Sequence, residues 1–209
     1  MDIHISRVHF PVTTLGPGKR IGIWLQGCTI HCKGCISMDT WQFNINKVPL
    51  NDLKQVLEVW LPQCDGITIS GGEPFDQENA LFELLEFLNS YKTNILVYSG
   101  FSFETLKEKE LVQNGFIDVL ISEPYNHTET QTKRLLGSDN QQVHFLTPLG
   151  KREFATYLEQ PLEKELDIHI TEETVWLAGI PINGMKEITQ AGKDNNVDLS
   201  HSQAVTKTK

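Results

Sequence analysis

The chain has 209 residues, of which 39% are hydrophobic and 22% are charged, and this composition predicts a soluble globular domain with a substantial core. The formal net charge of -9 argues against a nucleic-acid partner, because proteins that bind nucleic acid usually present a basic surface. No apolar run reaches 18 residues, and no basic region followed by an apolar run opens the chain. Neither a membrane span nor a signal peptide is therefore expected.

Segments with strand and helix patterns alternate along the first three quarters of the chain. Predicted strands cover residues 3–10, 21–26, 66–70, 94–98, 117–122 and 143–146, the first of them a possible edge strand, and predicted helices cover residues 49–61, 76–88, 103–112 and 128–136. This alternation favours right-handed crossovers and a mostly parallel sheet. Four or five such units are too few for a closed eightfold barrel, so the predicted α/β fold is a partial, open β/α barrel.

The domain boundaries follow from the same pattern. Residues 1–185 are predicted to form a single domain with its core at residues 5–147 and an extension at residues 148–185. The extension contains a predicted strand at residues 174–180, followed by a turn at Gly179-Ile180-Pro181. The remaining residues, 186–209, are polar and are expected to be disordered.

Three cysteines, Cys28, Cys32 and Cys35, follow the strand predicted at residues 21–26 with the spacing C-x3-C-x2-C. Close thiolates in a loop are typical of a metal site. Structural zinc needs four ligands and no second Cys or His pair follows, whereas three thiolates on a four-iron cluster leave one iron open. His31, within the loop, is expected to be a solvated residue, since a further ligand would close the open position.

Polar and glycine-rich segments follow the next predicted strands: Gly71-Gly72-Glu73, Ser99-Gly100 and Ser122-Glu123. Loops after parallel strands lie at one edge of the sheet, so these segments are expected to meet the cysteine loop. The glycines permit a ligand to approach the main chain closely, and Glu73 could accept hydrogen bonds from a ligand ammonium group. For Ser99-Gly100, ligand contact and a plain turn are equal alternatives.

Other residues are expected to be structural. Cys64 precedes its strand, so it should lie about 17 Å from the site, one strand length away, as a buried or partly buried structural thiol. Trp41 and Phe43 are expected to shield the site or fill core, and the pairs Lys19-Arg20 and Lys133-Arg134 to be solvated. With three of four cysteines at one loop there is no disulfide framework, which predicts a reducing compartment, the cytoplasm.

The cysteine motif together with Ser70-Gly71-Gly72-Glu73-Pro74 resembles the radical S-adenosylmethionine enzymes. Within that superfamily the chain is similar to the small activating enzymes of glycyl-radical proteins, above all those of anaerobic ribonucleoside-triphosphate reductase. The segments that carry this closer resemblance are Trp24-Leu25-Gln26-Gly27-Cys28, Ser99-Gly100-Phe101-Ser102-Phe103-Glu104, Asp118-Val119-Leu120-Ile121 and Gly137-Ser138-Asp139-Asn140-Gln141.

The resemblance implies that Cys28, Cys32 and Cys35 hold a 4Fe-4S cluster whose open iron binds S-adenosylmethionine, with Gly71, Gly72 and Glu73 lining the cofactor site and Ser99 and Gly100 near it. It implies cleavage of the cofactor to a 5′-deoxyadenosyl radical, which in activases removes a hydrogen atom from a glycine of a large partner protein. An external reductant such as flavodoxin or ferredoxin is also implied, because no second cluster motif is present.

Two departures from that group leave alternatives open. Related activases tend to have Asp-Gly-Pro-Phe where this chain has Ser122-Glu123-Pro124-Tyr125, so Glu123 either faces the active site or caps a helix. They also end soon after the segment that matches residues 143–147, whereas this chain continues to residue 209. A radical enzyme acting on another peptide or small molecule, and a non-enzymatic zinc-stapled or electron-transfer module, therefore remain alternatives to an activase.

Overall fold

The computed structural model of the chain describes residues 1–163, 165–170, 175–179, 190 and 194. The strands are β1 Asp2–Val12, β2 Arg20–Leu25, β3 Lys47–Pro49, β4 Gly66–Gly71, β5 Asn94–Tyr98, β6 Val119–Ser122, β7 Gln142–Phe145, β8 Leu166–Ile170 and β9 Val175–Gly179. The α-helices are α1 Leu50–Trp60, α2 Glu78–Asn89, α3 Phe103–Leu106, α4 Glu110–Gln113 and α5 Pro148–Glu159. Short 3-10 turns lie at Met38–Thr40, Leu61–Gln63 and Pro74–Gln77.

Seven strands form one mixed sheet in the order β3-β1-β2-β4-β5-β6-β7. Its centre is parallel, since β2, β4, β5 and β6 pair in parallel in that order. At one end β1 pairs antiparallel with both β2 and β3, so β1 is not an edge strand. The sheet begins and ends on different strands, which confirms the predicted α/β fold with an open, partial barrel.

The last sheet strand runs against the predicted direction. β7 pairs antiparallel with β6, because the connection between them contains no helix to carry the chain back across the sheet. The helix predicted at residues 128–136 is wrong: turns and bends occupy this segment. There the carboxylate of Asp139 accepts hydrogen bonds from Thr130 Oγ1 at 2.7 Å and from the amide of Thr132 at 2.8 Å, and such side-chain bonds compete with helix formation.

The outer face of the sheet carries the larger core cluster. Leucines at helical spacing along α1 and α2 are buried, and they pack against alternate residues of the parallel strands, such as Ile23, Ile69 and Val97. Each such side chain contributes about 1.5–3 kcal/mol by leaving water. This packing confirms the helices predicted at residues 49–61 and 76–88. The single helix predicted at residues 103–112 is wrong, since the backbone becomes extended at Lys109 and separates α3 from α4.

The inner face is covered by the C-terminal segment. Phe154 of α5 is fully buried against Leu96, Val119 and Ile121. Farther along the inner face, Ala178 of β9 packs with Trp24. The described part of the chain past residue 147, at α5 and β9, is therefore part of the packed structure rather than an appendage.

Arg20, which the sequence analysis places in solvent, is fully buried on the inner face. Its guanidinium donates to Thr68 Oγ1 at 2.6 Å and to Asn94 Oδ1 at 2.7 Å, and it lies 5.1 Å over the ring of Phe154. Burial lowers its pKa to about 10, so it remains charged at neutral pH. Alternation along β2 points Arg20 to the same side as Trp24, where α5 excludes water.

The C-terminal strands form a separate two-stranded hairpin, in which β8 and β9 pair antiparallel from Leu166–Gly179 to Ile170–Val175. The strand predicted at residues 174–180 is confirmed over residues 175–179, whereas β8 was not predicted. The turn predicted after Gly179 and the tail at residues 186–209 lie outside the described residues, apart from residues 190 and 194. The division of the chain at residue 185 stays a prediction.

None of the helices in the described ranges combines the length and the apolar character needed to cross a membrane.

Candidate functional site

A cleft of about 610 Å³ opens at the C-terminal ends of the parallel strands, a volume in the range of about 300–1,000 Å³ usual for small-molecule sites. The loops after β2, β4, β5 and β6 all contribute to its lining. Every candidate site residue from the sequence lies there: Cys28, Cys32, Cys35, Gly71, Gly72, Glu73, Ser99, Gly100 and Glu123. The topological argument that these loops meet at one edge is thereby confirmed.

The cysteine loop, defined here as residues 27–41, is closed by main-chain hydrogen bonds between its two ends. The amide of Gly27 donates to the carbonyl of Thr40 at 2.7 Å, and the amide of Cys28 donates to the carbonyl of Trp41 at 3.2 Å. The loop therefore leaves β2 and returns to the point of its departure, so its three cysteines are confined to one end of the cleft.

Hydrogen bonds within the loop set the backbone around the thiols. The amide of Cys35 donates to the carbonyl of Cys32 at 3.1 Å, and the amide of Ser37 donates to Cys35 Sγ at 3.3 Å. Thr29 donates from its amide and hydroxyl to the carboxylate of Asp76, at 2.7 and 2.9 Å. The first of these contacts bends the chain between two cysteines, and the last fixes the loop to the segment after β4.

All three thiols of the loop are free; Cys28 is buried, and Cys32 and Cys35 are partly exposed. Burial raises the pKa of Cys28 and of Cys32, and the nearby carboxylate of Glu73 raises both further. A cationic metal centre would reverse this balance, because metal binding favours the thiolate form.

The donor chemistry of the loop fits an iron–sulfur cluster, since thiolates are the usual ligands of such clusters and all three cysteines line one cleft. Within the described ranges, no three His, Cys, Asp or Glu side chains, these cysteines included, already lie in the arrangement of ligands around a metal ion, so the fit rests on the chemistry of the three thiols and on their shared loop.

Aromatic residues in the loop and directly after it lie against the loop. His31 is exposed and stacks on Trp41, with ring centroids 4.6 Å apart, which confirms its prediction as a solvated loop residue. Trp41 also lines the cleft, and Phe43 lies against Gly27 while remaining 43% exposed. Both aromatic rings thus cover the loop.

Gly71 and Gly72 bring the end of β4 into direct contact with the cysteine loop. A Cβ on Gly72 would lie 1.9 Å from the carbonyl oxygen of Gly27, and Gly71 has a φ of +106°. The amide of Gly72 donates to Leu25 O and that of Glu73 donates to Gly27 O, each at 2.8 Å. The sequence predicts that Gly71 and Gly72 let a ligand approach the main chain closely. In the structure, it is the main chain at the start of the cysteine loop that approaches these glycines.

Glu73 is 1% exposed and its carboxylate accepts three hydrogen bonds. The donors are the amide of Phe75 at 3.0 Å, Ser99 Oγ at 2.9 Å and the amide of Gly100 at 2.8 Å. Burial raises the pKa of Glu73 to about 7 against the opposing effect of these bonds. A carboxylate offers about four acceptor positions, so one remains for a ligand.

Ser99 and Gly100 therefore hold Glu73, a role that neither sequence alternative named. Glu123 accepts a hydrogen bond from the amide of Phe103 at 3.0 Å, as the capping alternative predicts, and it also lines the cleft. Cys64 lies just before β4, away from the cleft lining, and its thiol donates to Leu61 O at 3.4 Å. Cys64 is partly buried, within the prediction of a buried or partly buried structural thiol.

The far side of the cleft was missed by the sequence analysis. We name it the C-terminal wall; it consists of Tyr157, Leu162, Glu163, Glu165, Ala178 and Gly179. Arg134, predicted to be solvated, is 9% exposed and connects to this wall. Its Nε donates to Pro161 O at 2.8 Å, and its guanidinium lies 5.1 Å over the ring of Tyr157. The sequence around Arg134 gives no sign of these partners, which belong to α5 and to the segment after it.

Comparisons with known proteins give consistent results for the region of the cysteine loop and the sheet. A family model described as a 4Fe-4S single cluster domain matches residues 14–144. The anaerobic ribonucleoside-triphosphate reductase-activating protein of Enterobacteria phage T4 is 27% identical over 134 residues, which cover 61% of this chain and 85% of that protein.

Bacterial proteins of the same name are similar to the same extent. The Haemophilus influenzae protein is 28% identical over 151 residues, covering 65% of this chain and 94% of that protein. The Escherichia coli protein is 26% identical over 149 residues, which cover 66% of this chain and 96% of that protein. Among solved structures, the crystal structure of QueE from Escherichia coli matches with a TM-score of 0.40 and 20% identity over 48% of this chain and 53% of that chain.

Proposed function

Because the chain belongs to the family of 4Fe-4S single cluster domains, whose model spans residues 14–144, we propose that it is a radical S-adenosylmethionine activase. Its proposed substrate is a glycyl-radical protein of the anaerobic ribonucleoside-triphosphate reductase type, because similar proteins are named as activating proteins of that reductase. The observation that carries this proposal is the convergence of the cysteine loop with the loops after β4 and β5 on one cleft.

Cys28, Cys32 and Cys35 would hold the cluster through their three thiolates. Once bound there, a reduced cluster would supply the single electron for cleavage of a carbon–sulfur bond of S-adenosylmethionine, and the hydrogen atom transferred to the deoxyadenosyl group would come from the partner's glycine. No separate acid or base is needed for that transfer. Its contribution is to position the reactants and to exclude water.

Glu73 is proposed to bind the ammonium group of the methionine moiety through its remaining acceptor position. Ser99 and Gly100 hold its carboxylate in place, so the charge is oriented before a ligand arrives. An ammonium group beside Glu73 would also favour the ionised carboxylate, whose pKa burial raises to about 7. Gly71 and Gly72 would leave the main chain beside the ligand uncovered by side chains.

The electron is proposed to come from an external carrier such as a flavodoxin or a ferredoxin. The proposed compartment is the cytoplasm, which is supported by the free state of all four cysteines. A radical enzyme that modifies a different peptide or a small molecule is the second candidate. One observation favours it: the C-terminal wall lines the cleft from residues that lie past the family match.

The test begins with anaerobic reconstitution using iron and sulfide, followed by reduction and electron paramagnetic resonance with and without S-adenosylmethionine. We expect a four-iron signal that changes when the cofactor is added, formation of 5′-deoxyadenosine, and a glycyl radical on an added anaerobic reductase. Each of the substitutions Cys28→Ser, Cys32→Ser and Cys35→Ser should abolish the signal of the cluster. The control Cys64→Ser should leave that signal unchanged, because Cys64 lies outside the cleft lining.

The outcomes separate the candidates. A cluster that is indifferent to S-adenosylmethionine would overturn the proposal in favour of an electron carrier, and colourless protein with bound zinc would indicate a structural staple. Formation of 5′-deoxyadenosine with a peptide or small molecule, but no glycyl radical on the reductase, would favour the second candidate.

A further inference from the structure

The C-terminal segment covers the inner face of the open barrel, although it lies past the part of the chain that matches the family. Phe154 of α5 is fully buried against the sheet, and Ala178 of β9 is 7% exposed against Val12 and Trp24. A half barrel without this segment would leave that face and the cleft beside it open to solvent.

The hairpin β8–β9 is fixed to the sheet by one carboxylate. Asp167 accepts four hydrogen bonds: from the amide and hydroxyl of Thr13 at 2.7 and 2.6 Å, and from the amide and hydroxyl of Thr14, both at 3.0 Å. These donors follow directly after β1. Next to them, the rings of His169 and His9 make an edge contact with centroids 5.1 Å apart. Hydrogen bonds to a charged acceptor are about twice as strong as neutral ones, so among the described side chains of the hairpin Asp167 makes a strong polar contact with the segment after β1.

Positioning of the hairpin has a direct consequence for the cleft. Ala178 and Gly179 of β9, together with Glu165 just before β8, form part of the lining of the same cleft as the three cysteines. Thr14 and Leu15, which adjoin the bonds to Asp167, line it as well. The anchoring point of the hairpin is therefore adjacent to the cleft, and movement of the hairpin would change the width of the cleft.

We propose that the β8–β9 hairpin is the second wall of the reaction cleft and that Asp167 is the positioning residue that keeps this wall in place. The proposal rests on the proposed function. With both walls present the cleft measures about 610 Å³, which is in the range of small-molecule sites and far too small for a folded domain. The partner then presents its reacting residue on an unfolded loop or chain end, and the wall keeps water from the reacting atoms.

The first arm of the test needs neither cluster nor cofactor. Hydrogen–deuterium exchange of the amides in residues 166–170 and 175–179 is measured in the full-length chain and in Asp167→Ala. We expect exchange to accelerate about tenfold or more, because local opening no longer breaks four hydrogen bonds. Combined Thr13→Val and Thr14→Val substitutions, which keep both amide donors, should give a smaller acceleration. Unchanged exchange in Asp167→Ala would overturn the proposal.

The second arm measures how many molecules of 5′-deoxyadenosine form for each partner radical in the reconstituted protein. We expect this ratio to rise severalfold in Asp167→Ala with the cluster signal unchanged, because a displaced wall admits other hydrogen donors. The matched control is Asp52→Ala, an exposed carboxylate in the first turn of α1, which should leave both readouts unchanged.

If Asp167→Ala accelerates hydrogen exchange but leaves the number of 5′-deoxyadenosine molecules per partner radical unchanged, the proposal that the hairpin is a wall of the reaction cleft is overturned. The hairpin would then be a packing element only. Failure of the proposed function looks different: the unsubstituted protein itself would form no 5′-deoxyadenosine, and the exchange arm would still decide whether Asp167 positions the hairpin.

Discussion

The two sides of the cleft are built in different ways. The cysteine side is held largely by main-chain hydrogen bonds, such as those that close the cysteine loop and the one by which the amide of Gly72 donates to the carbonyl of Leu25 on the neighbouring strand. The C-terminal wall is held by side chains whose partners are distant in sequence. Asp167 and Thr13, for example, are separated by 154 positions. The cysteine side is therefore determined mainly by close backbone contacts between neighbouring strands and loops, and the C-terminal wall by contacts of side chains.

This contrast explains why the two sides differ in how they tolerate change. A backbone contact without room for a Cβ cannot be relieved by moving a side chain, whereas a side-chain contact can be weakened by degrees. The cysteine side is expected to fail completely when it is substituted at its closest contact. The C-terminal wall is expected to lose stability in proportion to the contact removed.

The largest effect is expected for Gly72→Ala. Its Cβ would lie 1.9 Å from the carbonyl of Gly27, and this overlap is relieved only by separating β4 from the cysteine loop. We expect a loss above about 5 kcal/mol in the free energy of unfolding, comparable with the whole stability of a marginal domain. Urea denaturation of the protein without cluster measures it.

Gly115→Ala is the matched control for that measurement. Gly115 has a φ of +79° and nothing within 4 Å of the position of a Cβ. Its substitution carries backbone strain without overlap and should cost about 1–2 kcal/mol. Equal effects at the two positions would contradict the claim that close packing on the cysteine loop sets the requirement for glycine at position 72.

The next effect is expected for Phe154→Ala, which removes the centre of packing between α5 and the inner face. Phe154 is fully buried, and substitutions of this kind cost about 3–5 kcal/mol. Exchange protection of β8 and β9 should fall as well, while that of α1 and α2 falls only through global unfolding. Phe43→Ala, at a residue 43% exposed, should cost much less. If Phe154→Ala lowers the exchange protection of the cysteine loop more than that of β8 and β9, the expectation that the two sides of the cleft respond separately is wrong.

A smaller, pH-dependent effect is expected for Glu73→Gln. The pKa of Glu73 is about 7 in the folded chain against an ordinary value of 4.5, so its contribution to stability is complete below about pH 4.5 and is lost as the pH rises through 7. One pKa unit corresponds to about 1.4 kcal/mol. The unfolding free energy of the unsubstituted protein, relative to the variant, should therefore decrease by up to about 3 kcal/mol between these pH values.

Urea titrations of both proteins at intervals across that range, without cluster, would measure this decrease. A constant difference between them would show that Glu73 ionises normally in the folded chain. Glu86→Gln, at an exposed residue of α2, serves as the control and should give no such trend.

The parts of the fold that were predicted correctly share one property: their cause is local. Leucines at helical spacing indicate α1 and α2, because one face must be buried whatever it packs against. The order of strands and helices places the cysteine loop, Gly71-Gly72-Glu73 and Ser99-Gly100 at one edge, since parallel strands end on the same side. These features are properties of short segments and of their order along the chain.

The parts that were predicted incorrectly depend on contacts between distant segments. Helical propensity at residues 128–136 is overridden by the carboxylate of Asp139. Arg20 and Arg134 are buried because α5 and the segment after it cover them, and a charged pair in the sequence carries no mark of such cover. The roles of Ser99 and Gly100 are similar, since the sequence does not state that Glu73 is their partner.

Residue spacing and element order were thus sufficient for the chemistry of the cysteine loop and for the half barrel that presents it. The other side of the cleft, including the position of Asp167 over Thr13 and Thr14, arose from the folding of the C-terminal segment onto the inner face. The physical reason is that local patterns specify which surface of a segment is apolar or which backbone angles it adopts, but not which distant surface completes its burial.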